Sequence, residues 1–460
     1  MCAVICAAFI CPSGMADEPL PIYGPSVIID PSFSYYRNRT VQSIAAEVRA
    51  NGYTIVRYVL TADSNLDPAL VSAFQRENIG VWYLTFGNGT YSTKDLPEGW
   101  QAWKMVTRTD LEGGSHSDGF TRLCLNNSSY RSWKKSQIAR TLARCPFQGV
   151  DIAEPHWPEY PGVESPAYAC FCPSCLAAFQ KMFPGETALP NIIDAGSPRS
   201  PARNPGLWTK WLAFRQTSLT TFLDDLVNGH DGVREEAPGV KVSVWTLALA
   251  GKDGMRSVQE DSGEDACQIV GVVKPDLHCL QTHWPDWLRP DLKPHYVDAY
   301  APFIQQIRRV APNLPLMIQA DIGSKQENRR SWEWIKAFER ACARLGADST
   351  TLYEYSLGRY MYTDPPRITE VRTHGKRLEL RFTKRLEASS AADVSHYQLA
   401  PGTIVGAEVD GNLVLLSVTG VEPGTPSVLT ARGLADAPDR RFFHDHPLTV
   451  LRSQTVRFTF

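Results

Sequence analysis

Gly149-Val150-Asp151-Ile152-Ala153-Glu154-Pro155-His156-Trp157-Pro158 decides how the chain is read. A short apolar run with β-branched residues ends abruptly in a carboxylate, a proline and two aromatic rings. A buried strand that delivers a functional side chain to a barrel rim has this form. Glu154 is therefore the first candidate for a catalytic acid/base. Soon after comes Cys170-Phe171-Cys172-Pro173-Ser174-Cys175. Neighbouring thiols at this spacing bridge each other poorly, whereas the spacing suits a thiolate metal site.

Working outward, strand-like and helix-like runs alternate between Ser26 and about Tyr360. The expected strands are 27–30, 54–60, 81–86, 150–154, 240–247, 277–282, 316–321 and 350–355. Amphipathic segments lie between them at 41–51, 69–77, 133–144, 208–227, 300–310 and 332–345. Eight such units predict an α/β fold, a (β/α)8 TIM barrel with long loops. A doubly wound open sheet is the alternative. It usually has fewer units, and no Gly-rich phosphate turn follows the first strand; Asn88-Gly89-Thr90 belongs to a polar loop. The Pro- and Ser-rich stretch 186–205 reads as an excursion in the fourth βα loop. Helical periodicity stops at Thr363-Asp364-Pro365-Pro366. Beyond it the chain alternates with period two, as in Leu378-Glu379-Leu380-Arg381-Phe382, between turn signals such as Asp410-Gly411-Asn412. This predicts a small all-β sandwich over 364–460, after a barrel domain over 17–363. The piece resembles the Ig-like modules appended to secreted bacterial carbohydrate enzymes.

At 460 residues the chain exceeds one ordinary core, so more than one domain is expected. A formal charge of −2 argues against an electrostatic nucleic-acid binder. No stretch reaches the roughly 18 apolar residues of a membrane span. Residues 2–11 are apolar, and Ser13-Gly14-Met15-Ala16 follows with small side chains. This is expected to be a signal peptide over 1–16, which places the protein in a secreted or periplasmic setting.

Barrel strand ends converge on one rim, and glycoside hydrolysis needs two carboxyl groups there. Roughly 5–5.5 Å of separation retains configuration and roughly 6.5–9.5 Å inverts it. Asp30, Asp151, Glu154, Asp286, Asp321 and Glu354 are the candidates. Asp151 lies three residues before Glu154 and is expected deeper, as a structural acid. His156-Trp157 and His283-Trp284 repeat a pair suited to hydroxyl hydrogen bonds and ring stacking. With Pro155, Trp245, Gln319 and Asp30 they form the expected sugar site. A metalloenzyme is disfavoured, because no His-x-His or His-Glu-x-x-His spacing occurs.

Arg122-Leu123-Cys124-Leu125-Asn126-Asn127, then Glu154, then Cys170-Phe171-Cys172-Pro173-Ser174-Cys175-Leu176-Ala177-Ala178-Phe179 together resemble glycoside hydrolase family 42, whose members are (β/α)8 β-galactosidases of clan A and their relatives. The resemblance covers about Thr121–Phe179. It implies Glu154 as general acid/base, and a structural zinc on Cys124, Cys170, Cys172 and Cys175. Four thiolates would leave no open position for water, so this metal would not be catalytic. Two positions depart from the family. Ala153 stands where the family has an Asn that contacts the sugar 2-hydroxyl, and Gln319 falls about where the family nucleophile stands. The second carboxylate is then Glu354, set between two tyrosines, or Asp321, whose competing role is a helix N-cap; Glu354 is preferred. The expected function is a secreted glycoside hydrolase acting on an oligosaccharide or polysaccharide. The alternative is a non-catalytic carbohydrate-binding protein on the same barrel.

Overall fold

The computed structural model describes residues 19–158 and 161–460. The expected signal segment, 1–16, lies outside them. Eight parallel strands close into a barrel: β1 (Pro25–Ile29), β2 (Ile55–Val59), β3 (Gly80–Phe86), β4 (Gly149–Ala153), β5 (Lys241–Ala248), β6 (Leu277–Thr282), β7 (Leu316–Asp321) and β8 (Ser349–Tyr353), with β8 pairing back onto β1. The outer helices are α1 (Val41–Ala50), α2 (Pro68–Arg76), α3 (Ser128–Arg144), α4 (Pro173–Met182), α5 (Pro205–Asn228), α6 (Ala266–Val273), α7 (Ala301–Val310) and α8 (Trp332–Arg344). Their starts are written locally. Asp67, Asn127, Asn204 and Ser331 cap α2, α3, α5 and α8 by accepting from backbone N–H groups of the first turn. Helix α6 and the extra helix α4, inside the fourth βα loop, were not among the expected helices. No described helix is long and apolar enough to cross a membrane.

Strand alternation fills the barrel. Ile28, Ile55, Val59, Trp82, Leu84, Phe86, Trp245, Cys279 and Met317 form one interior cluster. Gly149 is required here, because a Cβ would lie 2.4 Å from the Trp82 ring. A buried polar plug sits among these side chains. Arg57 pairs with Asp151 at 2.5 Å, its guanidinium lies 4.9 Å from the Trp82 ring centre, and the Trp245 indole N–H donates to Asp151 at 2.9 Å. Each charge is compensated, so the plug is a rigid floor and not an unpaired buried ion. Asp151 is thus the structural acid of the fourth strand.

After β8 the expected outer helix is reduced to one turn, Tyr360–Thr363. Antiparallel strands follow: β9 (Ile368–His374), β10 (Arg377–Phe382), β11 (Tyr397–Ala400), β12 (Thr403–Asp410), β13 (Leu413–Thr419), β14 (Pro426–Ala431) and β15 (Gln454–Thr459). They make a four-stranded sheet, β9-β10-β13-β12, and a three-stranded sheet, β11-β14-β15, over one apolar cluster that includes Leu378, Leu380, Phe382, Leu399 and Leu429. This all-β unit covers the barrel beside α1 and α2. Arg381 forms a double hydrogen bond with Glu77 at 2.7 and 2.9 Å, and Arg385 donates to the carbonyls of Tyr35, Arg37 and Asn38.

Candidate active site

The C-terminal mouth of the barrel holds a cavity of about 910 Å³, its open mouth included. Asp30, Glu154 and Asp321, at the ends of β1, β4 and β7, line it together. Its other walls include Phe86, Tyr91, Trp245, Trp287 and Tyr353, with Gln281 and Gln319 as neutral polar groups. Carboxylates beside aromatic faces and amides are the groups that bind and activate a sugar ring.

Parity explains most of this set. Asp151 and Ala153 point into the barrel, so a regular strand would send Glu154 the other way. Glu154 instead adopts φ +51°, the left-handed region that a side chain with a Cβ rarely occupies. That break turns its carboxyl back toward the cavity, where Gln281 Nε2 donates to it at 3.1 Å. The next residues fix the turn. Pro155 packs on Gly87, the Asn88 side chain donates to the His156 carbonyl at 3.0 Å, and Trp157 N–H donates to the Ser262 carbonyl at 3.0 Å. Strain held by surrounding contacts is a feature of functional residues.

Asp321 and Gln319 share the inward face of β7. Asp321 Oδ1 accepts from the N–H groups of Gly323 and Ser324, both at 2.9 Å, and Oδ2 accepts from the Ser324 hydroxyl. It therefore caps the turn after β7, while Ser331 caps α8. Burial raises its pKa against these hydrogen bonds. Burial likewise raises Asp30, which accepts from Ser32 N–H at 2.9 Å. Buried Gln319 Oε1 has no hydrogen-bond partner among the described residues. It is a carbonyl acceptor waiting on the cavity wall.

Three expected site residues lie elsewhere. Glu354 is fully buried and absent from the cavity lining. Tyr353 takes the inward position of β8, so Glu354 faces away. Its Oε2 accepts from Ser356 N–H at 2.9 Å and from the Ser356 hydroxyl at 2.5 Å, and its Oε1 accepts from Tyr36. Burial pushes its carboxyl pKa up to about 8. Trp157 is also fully buried: its indole N–H donates to the Arg215 carbonyl of α5 at 2.8 Å, and the ring packs under the loop. Asp286 accepts from Ala250 N–H at 2.7 Å and from the Tyr300 hydroxyl at 3.1 Å, a structural role.

His156, His283 and Trp284 line an adjoining cavity of about 770 Å³, which shares Tyr91, Glu154, Gln281 and Trp287 with the first. Burial lowers both imidazoles to about 3, so both are neutral near pH 7. Sequence reasoning missed Tyr91, Gln281, Trp287 and Glu264. Tyr91 sits against Phe86 and Phe120, with ring centres 5.2 and 4.7 Å away. The Glu154 charge is the largest cause raising its hydroxyl pKa. Glu264 is buried behind His156. Only position relative to a strand end could have flagged Gln281 and Trp287, which flank the His283-Trp284 pair.

Cys124, Cys170, Cys172 and Cys175 form a buried cluster whose sulfur atoms all lie within 4.8 Å of one another, a set able to hold a metal ion. Val106 N–H and Asn126 Nδ2 point at sulfurs of Cys170 and Cys175, at 3.4 and 3.5 Å. The cluster joins the third βα loop to the fourth.

No protein-family model matches the chain. No curated protein matches it either. Among solved structures, the glycoside hydrolase domain of PgaB (BpsB) from Bordetella bronchiseptica superposes with a TM-score of 0.53 at 14% identity, over 72% of this chain and 94% of that one. The β-galactosidase from Bacillus circulans sp. alkalophilus gives 0.48 at 13% identity, over 72% of this chain and 50% of that one. The endo-β-1,4-mannanase from Thermotoga petrophila gives 0.40 at 10%, over 95% and 97%. The first of these similarities establishes a shared barrel fold.

Proposed function

We propose that the protein is a glycoside hydrolase in which Glu154 is the general acid/base and Asp321 the second carboxylate. The observation that carries this reading is the convergence of Asp30, Glu154 and Asp321 on one aromatic-walled cavity above a compensated polar floor. Glu154 would give its proton to the leaving oxygen as the anomeric C–O bond breaks. Asp321 would then either attack the anomeric carbon or take a proton from the water that does. In both routes the water oxygen ends on the anomeric carbon and the carboxyls regain their starting protonation. Asp321 is preferred to Glu354 because it lines the cavity, whereas both Glu354 oxygens are engaged away from it. Gln319 and Asp30 would bind hydroxyls.

The same reading makes Cys124, Cys170, Cys172 and Cys175 the ligands of a structural zinc. The donor set fits: four converging buried sulfurs with N–H donors behind two of them, and no oxygen ligand among them. The zinc would supply no chemistry; it would hold the two loops beside Glu154. A secreted or periplasmic setting belongs to this reading through the apolar segment 2–11, and N-terminal sequencing of the exported protein tests it.

A non-catalytic sugar-binding protein is the second reading, favoured by one observation: Asp321 is held by three hydrogen bonds from the turn it caps. The deciding experiment screens the protein, Glu154→Gln and Asp321→Asn against nitrophenyl glycosides and polysaccharides, with product anomers followed by NMR. Turnover lost in both variants supports the hydrolase, and the first anomer separates attack from water activation. Saturable sugar binding without turnover overturns it in favour of the binding protein.

A further inference from the structure

Glu154 belongs to two cavities, and the mechanism above uses only one. Beyond Glu154 the cleft continues into the adjoining space, whose own walls are Arg122, His156, Ser262, His283 and Trp284. Apart from Arg122 and its neighbour Asp118, which lines the same space, these are hydroxyl, imidazole and indole groups, the chemistry of sugar hydroxyls and ring faces. Arg122 donates to Asp118 through both terminal guanidinium nitrogens at 2.7 and 3.0 Å, so its charge is matched within the wall. An uncharged sugar suits such a surface.

Behind His156 stands Glu264, with a fully buried side chain. Its Oε2 accepts from Leu247 N–H at 2.6 Å. Its Oε1 has no hydrogen-bond partner among the described residues, and neither has His156 Nδ1, which faces it at 3.9 Å. Two orphaned buried polar atoms facing each other mark a hydrogen bond left open. Active-site hydrogen bonds of this kind are often long without substrate and tighten when it binds.

We propose that the second cavity is the leaving-group subsite for an intact, uncharged sugar unit, and that Glu264 positions His156 to bind that unit. The substrate is then an oligosaccharide or polysaccharide cut between the two cavities. This rests on the hydrolase reading. Burial above all, and then the Glu154 charge, hold the Glu264 carboxyl well above its usual range and so favour its neutral, hydrogen-bond-donating form. Its O–H then donates to Nδ1 of the neutral imidazole, and the proton on Nε2 becomes the donor offered to the sugar. A glutamine at 264 reproduces this arrangement, since its amide oxygen accepts from Leu247 and its NH2 donates to Nδ1.

The test compares hydrolysis of an oligosaccharide with that of the glycosyl fluoride of the same sugar, whose leaving group fills no second cavity. His156→Ala and Glu264→Ala should lower kcat/KM on the oligosaccharide by roughly tenfold more than on the fluoride, the worth of one buried hydrogen bond. Glu264→Gln should restore the oligosaccharide rate. Parallel losses on both substrates would overturn the assignment, as would a glutamine variant no better than alanine. His156→Ala, at a partly exposed position, keeps the test open where Glu264→Ala fails to fold. A wild-type protein that hydrolyses neither substrate sinks the hydrolase reading itself. The subsite is then judged by calorimetric titration with the same oligosaccharide and its monosaccharide. Tighter oligosaccharide binding that His156→Ala abolishes supports it, and equal affinities overturn it.

Discussion

The ends of β4 and β8 are written alike and built differently. Each is a short strand with an inward-facing last residue, Ala153 or Tyr353, followed by a glutamate. At β4 the backbone breaks into φ +51° and the carboxyl enters the cavity. At β8 the glutamate keeps an extended φ of −119° and caps the turn Tyr355–Leu357 with its own carboxyl. One chain thus makes a cavity-lining acid and a structural acid from the same residue type at equivalent heights. One backbone torsion and the partners beyond it decide which is which.

The sharpest way to break this comparison is to neutralise both. Glu154→Gln should lower kcat by about 10²–10⁴, the usual worth of a general acid/base. Glu354→Gln should leave kcat within about threefold, since nothing in the proposed reaction uses it. Comparable losses at both sites, measured on one substrate, would return Glu354 to the catalytic pair.

Acid titration separates the two ends next. Burial raises the Glu354 carboxyl from 4.5, its ordinary value in the unfolded chain, to about 8 in the fold. Between those values the unfolded chain ionises while the folded one stays protonated. The unfolded state then binds fewer protons, so stability falls as pH rises from about 4.5 to about 8. At roughly 1.4 kcal/mol per unit the loss is of order 3–5 kcal/mol. Denaturant unfolding of Glu354→Gln across this window should lack that slope, and an unchanged slope would mean the carboxyl is not held neutral.

The loops beyond the two strands should respond differently to a chelator, if the proposed zinc holds the first of them. After β4, the cysteine cluster joins the third and fourth βα loops. After β8, the all-β unit does the holding: Lys384 Nζ donates to the Met361 carbonyl at 3.3 Å and Phe443 N–H to the Tyr362 hydroxyl at 3.4 Å. Stripping the protein with a strong chelator should lower Tm by several degrees. Hydrogen exchange should then speed up around Cys124 and Cys170 and stay slow around Tyr355. Uniform loosening, or none, would remove the staple from the fourth loop.

How much of this was legible follows from which contacts are local. Strand runs, caps and the period-two alternation of β10 depend on near neighbours, and they put all eight barrel strands within a residue or two of their observed bounds. Glu154 was legible as the charged residue before a proline at a strand end. The roles of Glu354 and Trp157 were not, because they depend on Tyr36 and Arg215, far away in sequence. Ser356, two residues after Glu354, was the one local hint of a cap. Tyr91 and Glu264 sit in loops with no periodicity, and only the closed barrel brings them to Glu154.

The smallest effect concerns the torsion itself. A residue with a Cβ held at φ +51° costs about 1–2 kcal/mol, which glycine does not incur. Glycine also gains freedom in the unfolded chain, which offsets part of the gain. Glu154→Gly should therefore be about 0.5–1 kcal/mol more stable than Glu154→Ala. At position 354 the backbone is extended and any residue adopts it without strain. Only the unfolded-state term survives there, so Glu354→Gly should be about 0.5–1 kcal/mol less stable than Glu354→Ala. The informative quantity is the sign of the glycine–alanine difference, read from midpoints at constant m-value. Opposite signs at the two positions would mean that the end of β4 carries backbone strain and the end of β8 does not. The same sign at both would remove the torsion as what distinguishes the two glutamates, leaving only their side-chain partners.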